Sequence, residues 1–198
     1  MTDQVRVSGK RTVPTYTTLR AVSWYSNELA KSDPSARLNH IVTSMLFDAF
    51  TLEAYMNHLG ALRFSFWPPL KRKLSTREKL DVVCADLGFQ PDFGRRPWQT
   101  LGFIFKLRSL LVHAQTETLA FEGELRGQEL LIKDWPRAKW EEFMSVEECQ
   151  RFLDDTKEMI KDLADKAGIS PDDVFAKDSI EASIITGEDL EGIDKESG

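Results

Sequence analysis

Arg108 and His113 are the two side chains whose types and spacing suit a reaction. They lie in Gly102–Gln115, a stretch otherwise apolar enough for the middle of a core. An unpaired Arg is costly to bury, so Arg108 needs a partner, a solvent-filled cleft or a subunit boundary. An Arg grips phosphate bidentately and stays charged at any relevant pH. A His is the side chain best placed to move protons near neutrality. Together they suit metal-free cleavage of an RNA phosphodiester: the neighbouring 2′-hydroxyl attacks, the cation stabilises the phosphorane, and the imidazole moves the proton. The spacing sets a condition. Five positions at about 100° each place the pair ~140° apart around a helix, so one chain does not bring them together as helical neighbours. On physics alone the competing account is a snorkelling Arg108 and a buried, hydrogen-bonded His113.

Other chemistry is poorly served. The chain has no Gly-rich phosphate loop followed by Lys-Ser/Thr, no G-x-G-x-x-G and no G-x-S-x-G. Its 3 His and 2 Cys are scattered, without zinc-site spacing, and no cofactor is expected. His40 and His58 share a side of one predicted helix but stand roughly 27 Å apart along it, so each reads as structural. Cys84 and Cys149 read as unpaired buried thiols of a cytoplasmic protein. Other cations could hold RNA phosphates: Lys106, the pair Arg95-Arg96 and the run Lys71-Arg72-Lys73, with Trp67 and Trp98 beside them as candidate stacking rings. Exposed solubilising charge and core packing are the competing accounts. Glu117 is a further candidate for lining a cleft.

The elements that must position these groups are helical. Hydrophobic residues make up 41% and charged residues 29% of the 198, the balance of a globular domain. No apolar run approaches the roughly 20 residues of a membrane span, and the first residues do not read as a secretory signal. The net charge of −6 argues against broad non-specific nucleic-acid binding. Residues 1–15 read as a flexible arm, 16–168 as a helical domain, and 169–198 as an acidic tail with an ordered start and a disordered end.

Within the domain, a first helix from near Thr17 carries Leu19, Val22, Trp24, Tyr25 and Leu29 as its apolar face. Asp33-Pro34 opens a second, to about residue 59, whose apolar positions cover more than one side, so it is central. Its polar residues are His40, Asp48, Glu53, Asn57 and His58. Pro68-Pro69 excludes regular helix in 61–74. Ser75-Thr76-Arg77-Glu78 is a capping box opening a helix closed by Gly88. Pro97 opens the helix bearing Arg108, to about Ala114. A short two-stranded hairpin follows within 118–132. Ser145, with Glu148 three residues on, caps a last helix closed by Gly168. The fold class is mainly all-α: a bundle of four to five helices with a small β-hairpin insertion after the helix bearing Arg108.

Lys-Leu-Arg108-Ser-Leu-Leu-Val-His113-Ala resembles the R-x4-6-H motif of HEPN domains, helical RNases and RNA-binding modules. Ser44 to Asn57, with Leu52-Glu53-Ala54 and then Asn57, is similar to the long early helix of that family. Ser75–Leu87 followed by Gly94-Arg-Arg-Pro-Trp-Gln resembles the segment before the motif helix in one HEPN branch. The likeness spans about 35–115. It implies a homodimer whose motif helices face each other, pooling two Arg and two His in one cleft, which would meet the geometric condition above. On it, Arg108 stabilises the scissile phosphate, His113 acts as general acid/base, and Glu53 and Asn57 support the site. The position after the Arg, Asn, Asp or His in active members, is Ser109, shorter but polar. The resemblance thus implies a metal-independent endoribonuclease, a toxin or defence effector. It also allows a non-catalytic dimerisation or RNA-binding module, or the partner subunit of a nucleotidyltransferase-like antitoxin.

Overall fold

The computed structural model describes residues 6–126, 129–131, 136–175 and 179–185. These fall into two compact units, one built around Thr15–Phe175 and one from segments on either side of it.

The smaller unit is a two-stranded antiparallel ribbon. Strand β1 (Arg6–Thr12) pairs with the distant Ser179–Ile185, with Arg6 opposite Ile185 and Thr12 opposite Ser179. This differs from the irregular arm and tail read from the sequence. Each strand finds its partner more than 160 residues away in the sequence, where local patterning carries no information. Residues 176–178 and 186–198 of the expected tail lie outside the described residues.

The larger unit is the expected helical bundle, with six α-helices among the described residues. They are α1 (Thr15–Ser32), α2 (Arg37–Arg63), α3 (Trp67–Leu70), α4 (Thr76–Asp86), α5 (Leu101–Val112) and α6 (Val146–Lys166). Helix α2 packs against each of the other five. That is why its apolar residues run all round it: Ile41, Met45, Leu52, Tyr55, Met56 and Leu59 are all buried. The hairpin is shorter than its expected span: β2 (Glu124–Arg126) against β3 (Glu129–Leu131). The domain also runs past Gly168, because Val174 is buried and Ile169 and Phe175 pack on the core.

Capping behaves as the sequence implies. Ser75 Oγ accepts from the Glu78 N–H and the Glu78 carboxylate accepts from the Ser75 N–H, completing the box. Ser145 accepts from the Glu148 N–H at 3.1 Å, but Glu148 turns to Arg151, so only half of that box forms. Gly88 (φ 61°) and Gly168 (φ 74°) close α4 and α6 in the left-handed region, where a Cβ is strained.

Three local expectations are corrected. Pro68 and Pro69 do not exclude helix: they occupy the first turn of α3, where a missing N–H costs nothing. Gly60 does not end α2, which continues to Arg63. Its place is fixed by contact instead, since a Cβ there would fall 2.1 Å from the buried Trp67 ring. Helix α1 is turned over. Trp24 and Tyr25 are 52% and 60% exposed, while Ser23, Ser26, Asn27 and Ala30 face the core. Small residues let α1 approach its neighbours closely, and polar atoms find partners on both: Ser23 Oγ donates to Asp48 Oδ1 on α2 (2.6 Å) and Asn27 Nδ2 to Gln150 Oε1 on α6 (2.7 Å).

Candidate functional site

Arg108 projects from α5 toward α2, and Glu53 on α2 receives it: the guanidinium Nη2 lies 3.5 Å from Glu53 Oε2. Helices α2 and α5 pack together, which allows the pair to form. Arg108 is 39% exposed, its guanidinium lies 5.9 Å from the Phe50 ring centre, and its buried Nε has no hydrogen-bond partner. A guanidinium has five donors, so one long contact leaves most of its bonding capacity open.

Glu53 serves more than Arg108. Lys79 Nζ on α4 donates to its Oε1 at 2.6 Å, and the Thr76 hydroxyl to its Oε2 at 3.2 Å. The Lys79 side chain is only 4% exposed. Burial pushes the Glu53 carboxyl up, but the Lys79 hydrogen bond and charge, then Arg108 and Thr76, outweigh it and hold the carboxyl below its usual range. Glu53 is therefore a carboxylate, and it ties α2, α4 and α5 together at the candidate site. The role of Lys79 is not legible from its type, since Lys mostly reads as surface. The available signal is its position beside Leu80 and Val83 on the buried face of α4.

His113 stands at the C-terminal cap of α5, where its N–H donates to the Ser109 carbonyl at 3.0 Å. The helix ends there rather than at Ala114. His113 and Ser109 are exposed. Neither side chain forms a hydrogen bond or ion pair among the described residues, so Arg108 and His113 do not meet within the chain. Asn57 lies one turn beyond Glu53 with its Oδ1 buried and unpartnered. Val112, expected in the core, is exposed together with Gly102, Phe103 and Lys106, which leaves one face of α5 open.

The remaining cations separate. Arg96 is clamped by the buried Asp155 through Nε (3.0 Å) and Nη2 (2.8 Å), with the Thr100 hydroxyl on the same carboxylate. It fastens the loop before α5 to α6. Arg95 is exposed and pairs with Asp92 at 2.7 Å. The exposed Lys106 lies 5.5 Å from the Phe143 ring centre. Trp67 and Trp98 are buried, and Trp98 Nε1 donates to Asp162 at 2.8 Å, so neither presents a ring for stacking. Glu117 is exposed in an irregular stretch.

His40 sits 3.5 Å from Asp33, and His58 packs against Tyr16 and Tyr55. Burial lowers the His58 pKa, which keeps the ring neutral. Cys84 and Cys149 are free and buried, and burial pushes each thiol up to about 11. A cleft of about 390 Å³ beside α4, lined by Leu80, Cys84, Phe89 and Phe93, shares no residue with the Arg108 site. Among the described residues no group of three or more His, Cys, Asp or Glu could hold a metal ion, and no helix is long and apolar enough to cross a membrane.

A second polar centre on α2 escaped the sequence reading. Asp48 is fully buried between α1 and α6. Ser23 donates to one oxygen, the other has no partner, and Arg20 is near enough to act on it by charge. Burial raises its carboxyl to about 8, so it is largely protonated at neutral pH.

No family model, curated protein or solved structure matches this chain.

Proposed function

We propose that this protein is a HEPN-like, metal-independent endoribonuclease of the cytoplasm, working as a homodimer and serving as a toxin or defence effector. The observation that carries the reading is Arg108. It is a half-exposed cation held in place from one side by Glu53, with most of its donors unfilled, on the helix that ends at the exposed His113. A phosphate is the ligand such a guanidinium accepts best.

In a homodimer the exposed His113 of each copy would meet the Arg108 of the other at the seam between α2 and α5, since the two lie ~140° apart on their own helix. The half-exposed Phe47 and Phe50 of α2 supply apolar area beside Arg108. In the cleft, His113 takes the proton from a 2′-hydroxyl, whose oxygen attacks the adjacent phosphorus. Arg108 stabilises the charged phosphorane. The bond to the 5′-oxygen breaks, and a proton from the imidazolium completes the 5′-hydroxyl. The products are a 2′,3′-cyclic phosphate and a 5′-hydroxyl end.

The test is incubation of purified protein with labelled RNA in excess chelator, beside His113→Ala. The expected result is a cyclic-phosphate product whose rate falls by about 10²–10⁴ in the variant. Equal cleavage by both, or none by either, sinks the nuclease reading. Light scattering at micromolar concentration checks the dimer independently, and a monomer contradicts the shared cleft. Ser109 favours one second reading, a non-catalytic RNA-binding module, because its short hydroxyl reaches less far than the Asn, Asp or His of active HEPN members. Partnership with an antitoxin remains compatible with either.

A further inference from the structure

The corner between α2 and α4 combines features that the Arg108 site does not use. Phe66 is 52% exposed. Its ring stacks on Phe64 (centroids 5.1 Å, interplanar angle 29°), and Phe64 stacks on the buried Trp67 (5.8 Å, 21°). Trp67 in turn fills the space left by the missing side chain of Gly60. Three rings thus back one another, and the outermost, Phe66, is largely exposed.

Immediately beyond α3 come Lys71, Arg72 and Lys73. All three are exposed, and none forms an ion pair among the described residues. The turn that carries them is tied to α3 by backbone bonds, Lys71 N–H to the Trp67 carbonyl (2.9 Å) and Lys73 N–H to the Leu70 carbonyl (2.8 Å). Three like charges held together without a counter-ion repel one another, so a polyanion is their natural complement.

The corner adjoins Arg108. Three residues after Lys73, the Thr76 hydroxyl lies 3.2 Å from the Glu53 oxygen that Arg108 approaches at 3.5 Å. Three residues of chain span at most about 11 Å. The basic turn and the Arg108 guanidinium therefore lie on neighbouring ground, joined through the start of α4.

We infer that this corner tethers single-stranded RNA: Phe66 stacks on a base while Lys71, Arg72 and Lys73 hold phosphates of the strand that runs on from Arg108. This deepens the nuclease reading and rests on RNA being the ligand. Exposed Leu62 and Phe66 beside cations also describe a contact with anionic lipid. The backed ring face and the continuity with Arg108 favour the nucleic acid, because stacking needs an oriented ring whereas insertion into lipid does not.

The experiment separates binding from cleavage by using a fluorescent 2′-O-methyl RNA, which lacks the attacking hydroxyl. Anisotropy titrations over a range of salt compare the full chain with Lys71→Ala/Arg72→Ala/Lys73→Ala, Phe66→Ala and Phe66→Trp. The triple variant is expected to bind at least tenfold more weakly, with the slope of log K against log salt flattened by about 2, as three lost phosphate contacts imply. Phe66→Ala is expected to lose about tenfold and Phe66→Trp to keep affinity. Unchanged affinity and slope in the triple variant overturn the tether. So does a wild-type chain that ignores RNA, and binding only to phosphatidylserine vesicles would assign the corner to lipid. Corner-dependent binding without cleavage of ordinary RNA would sink the nuclease reading alone, and cleavage without corner-dependent binding would sink the tether alone.

Discussion

Glu53 and Asp48 are carboxyls on the same helix, little more than one turn apart, and their surroundings treat them oppositely. Glu53 faces α4 and α5, where Lys79, Thr76 and Arg108 converge, and it stays charged. Asp48 faces α1 and α6, where its one hydrogen bond comes from a serine, and burial pushes it up to about 8. The difference shows which side of α2 is built for charge. The Glu53 side holds fixed ions and reaches solvent through Arg108. The Asp48 side is a polar seam between close helices, neutral through most of the physiological range.

The comparison breaks most visibly at Glu53. Glu53→Ala strands the buried Lys79, and stability should fall by about 3–5 kcal/mol in urea denaturation. Glu53→Leu combined with Lys79→Met should recover most of that loss while, on the nuclease reading, RNA cleavage stays low, since Arg108 has lost its anchor. Recovery of cleavage along with stability would show that Glu53 matters to the fold alone.

At Asp48 the effect is a dependence on pH. Its folded pKa of about 8 lies above the ordinary 3.8, so the folded state binds the extra proton. That contribution is fully present below pH ~4 and is lost as pH rises through ~8, with a slope of at most about 1.4 kcal/mol per unit. Glu53, lowered in the fold, works the other way: its contribution is present above its ordinary pKa and is lost in acid. Asp48→Asn should therefore flatten the decline in stability between pH 5 and 8 and leave the acid limb intact. An unchanged profile would mean that Asp48 is ionised in the fold.

The smallest expected effect is Arg108→Ala on stability. Its pair with Glu53 is long and partly exposed, so melting should report less than about 1 kcal/mol, although on the nuclease reading cleavage collapses. A large loss of stability would make Arg108 a structural cation and remove the main support for the catalytic reading.

How much of this was legible beforehand depended on range. The central place of α2 and the caps at Ser75 and Ser145 follow from periodicity and local chemistry, whereas the meeting of Arg108 with Glu53 depends on α2 and α5 packing together. The orientation of α1 does not. Periodicity marks Trp24 and Tyr25 as apolar, but it cannot say that Ser23 and Asn27 would find polar partners on α2 and α6 and, with Ser26, take the core side. Arg95 and Arg96 are adjacent and identical in type, and only the fold sends Arg96 to the buried Asp155 and Arg95 to the exposed Asp92. Lys79 likewise shows its burial only once Glu53 stands opposite.

The ribbon has a consequence for the order of events in folding. Its register joins residues separated by nearly the whole described chain, whereas the pairing of α1 with α2 closes only a short connection. The entropic cost of closure rises with the length enclosed, and non-local pairings are slow to form. A two-stranded ribbon has little stability of its own with which to offset that cost. The strands therefore meet after the helical domain has formed, and during synthesis β1 waits, unpaired, until Ser179–Ile185 has been made.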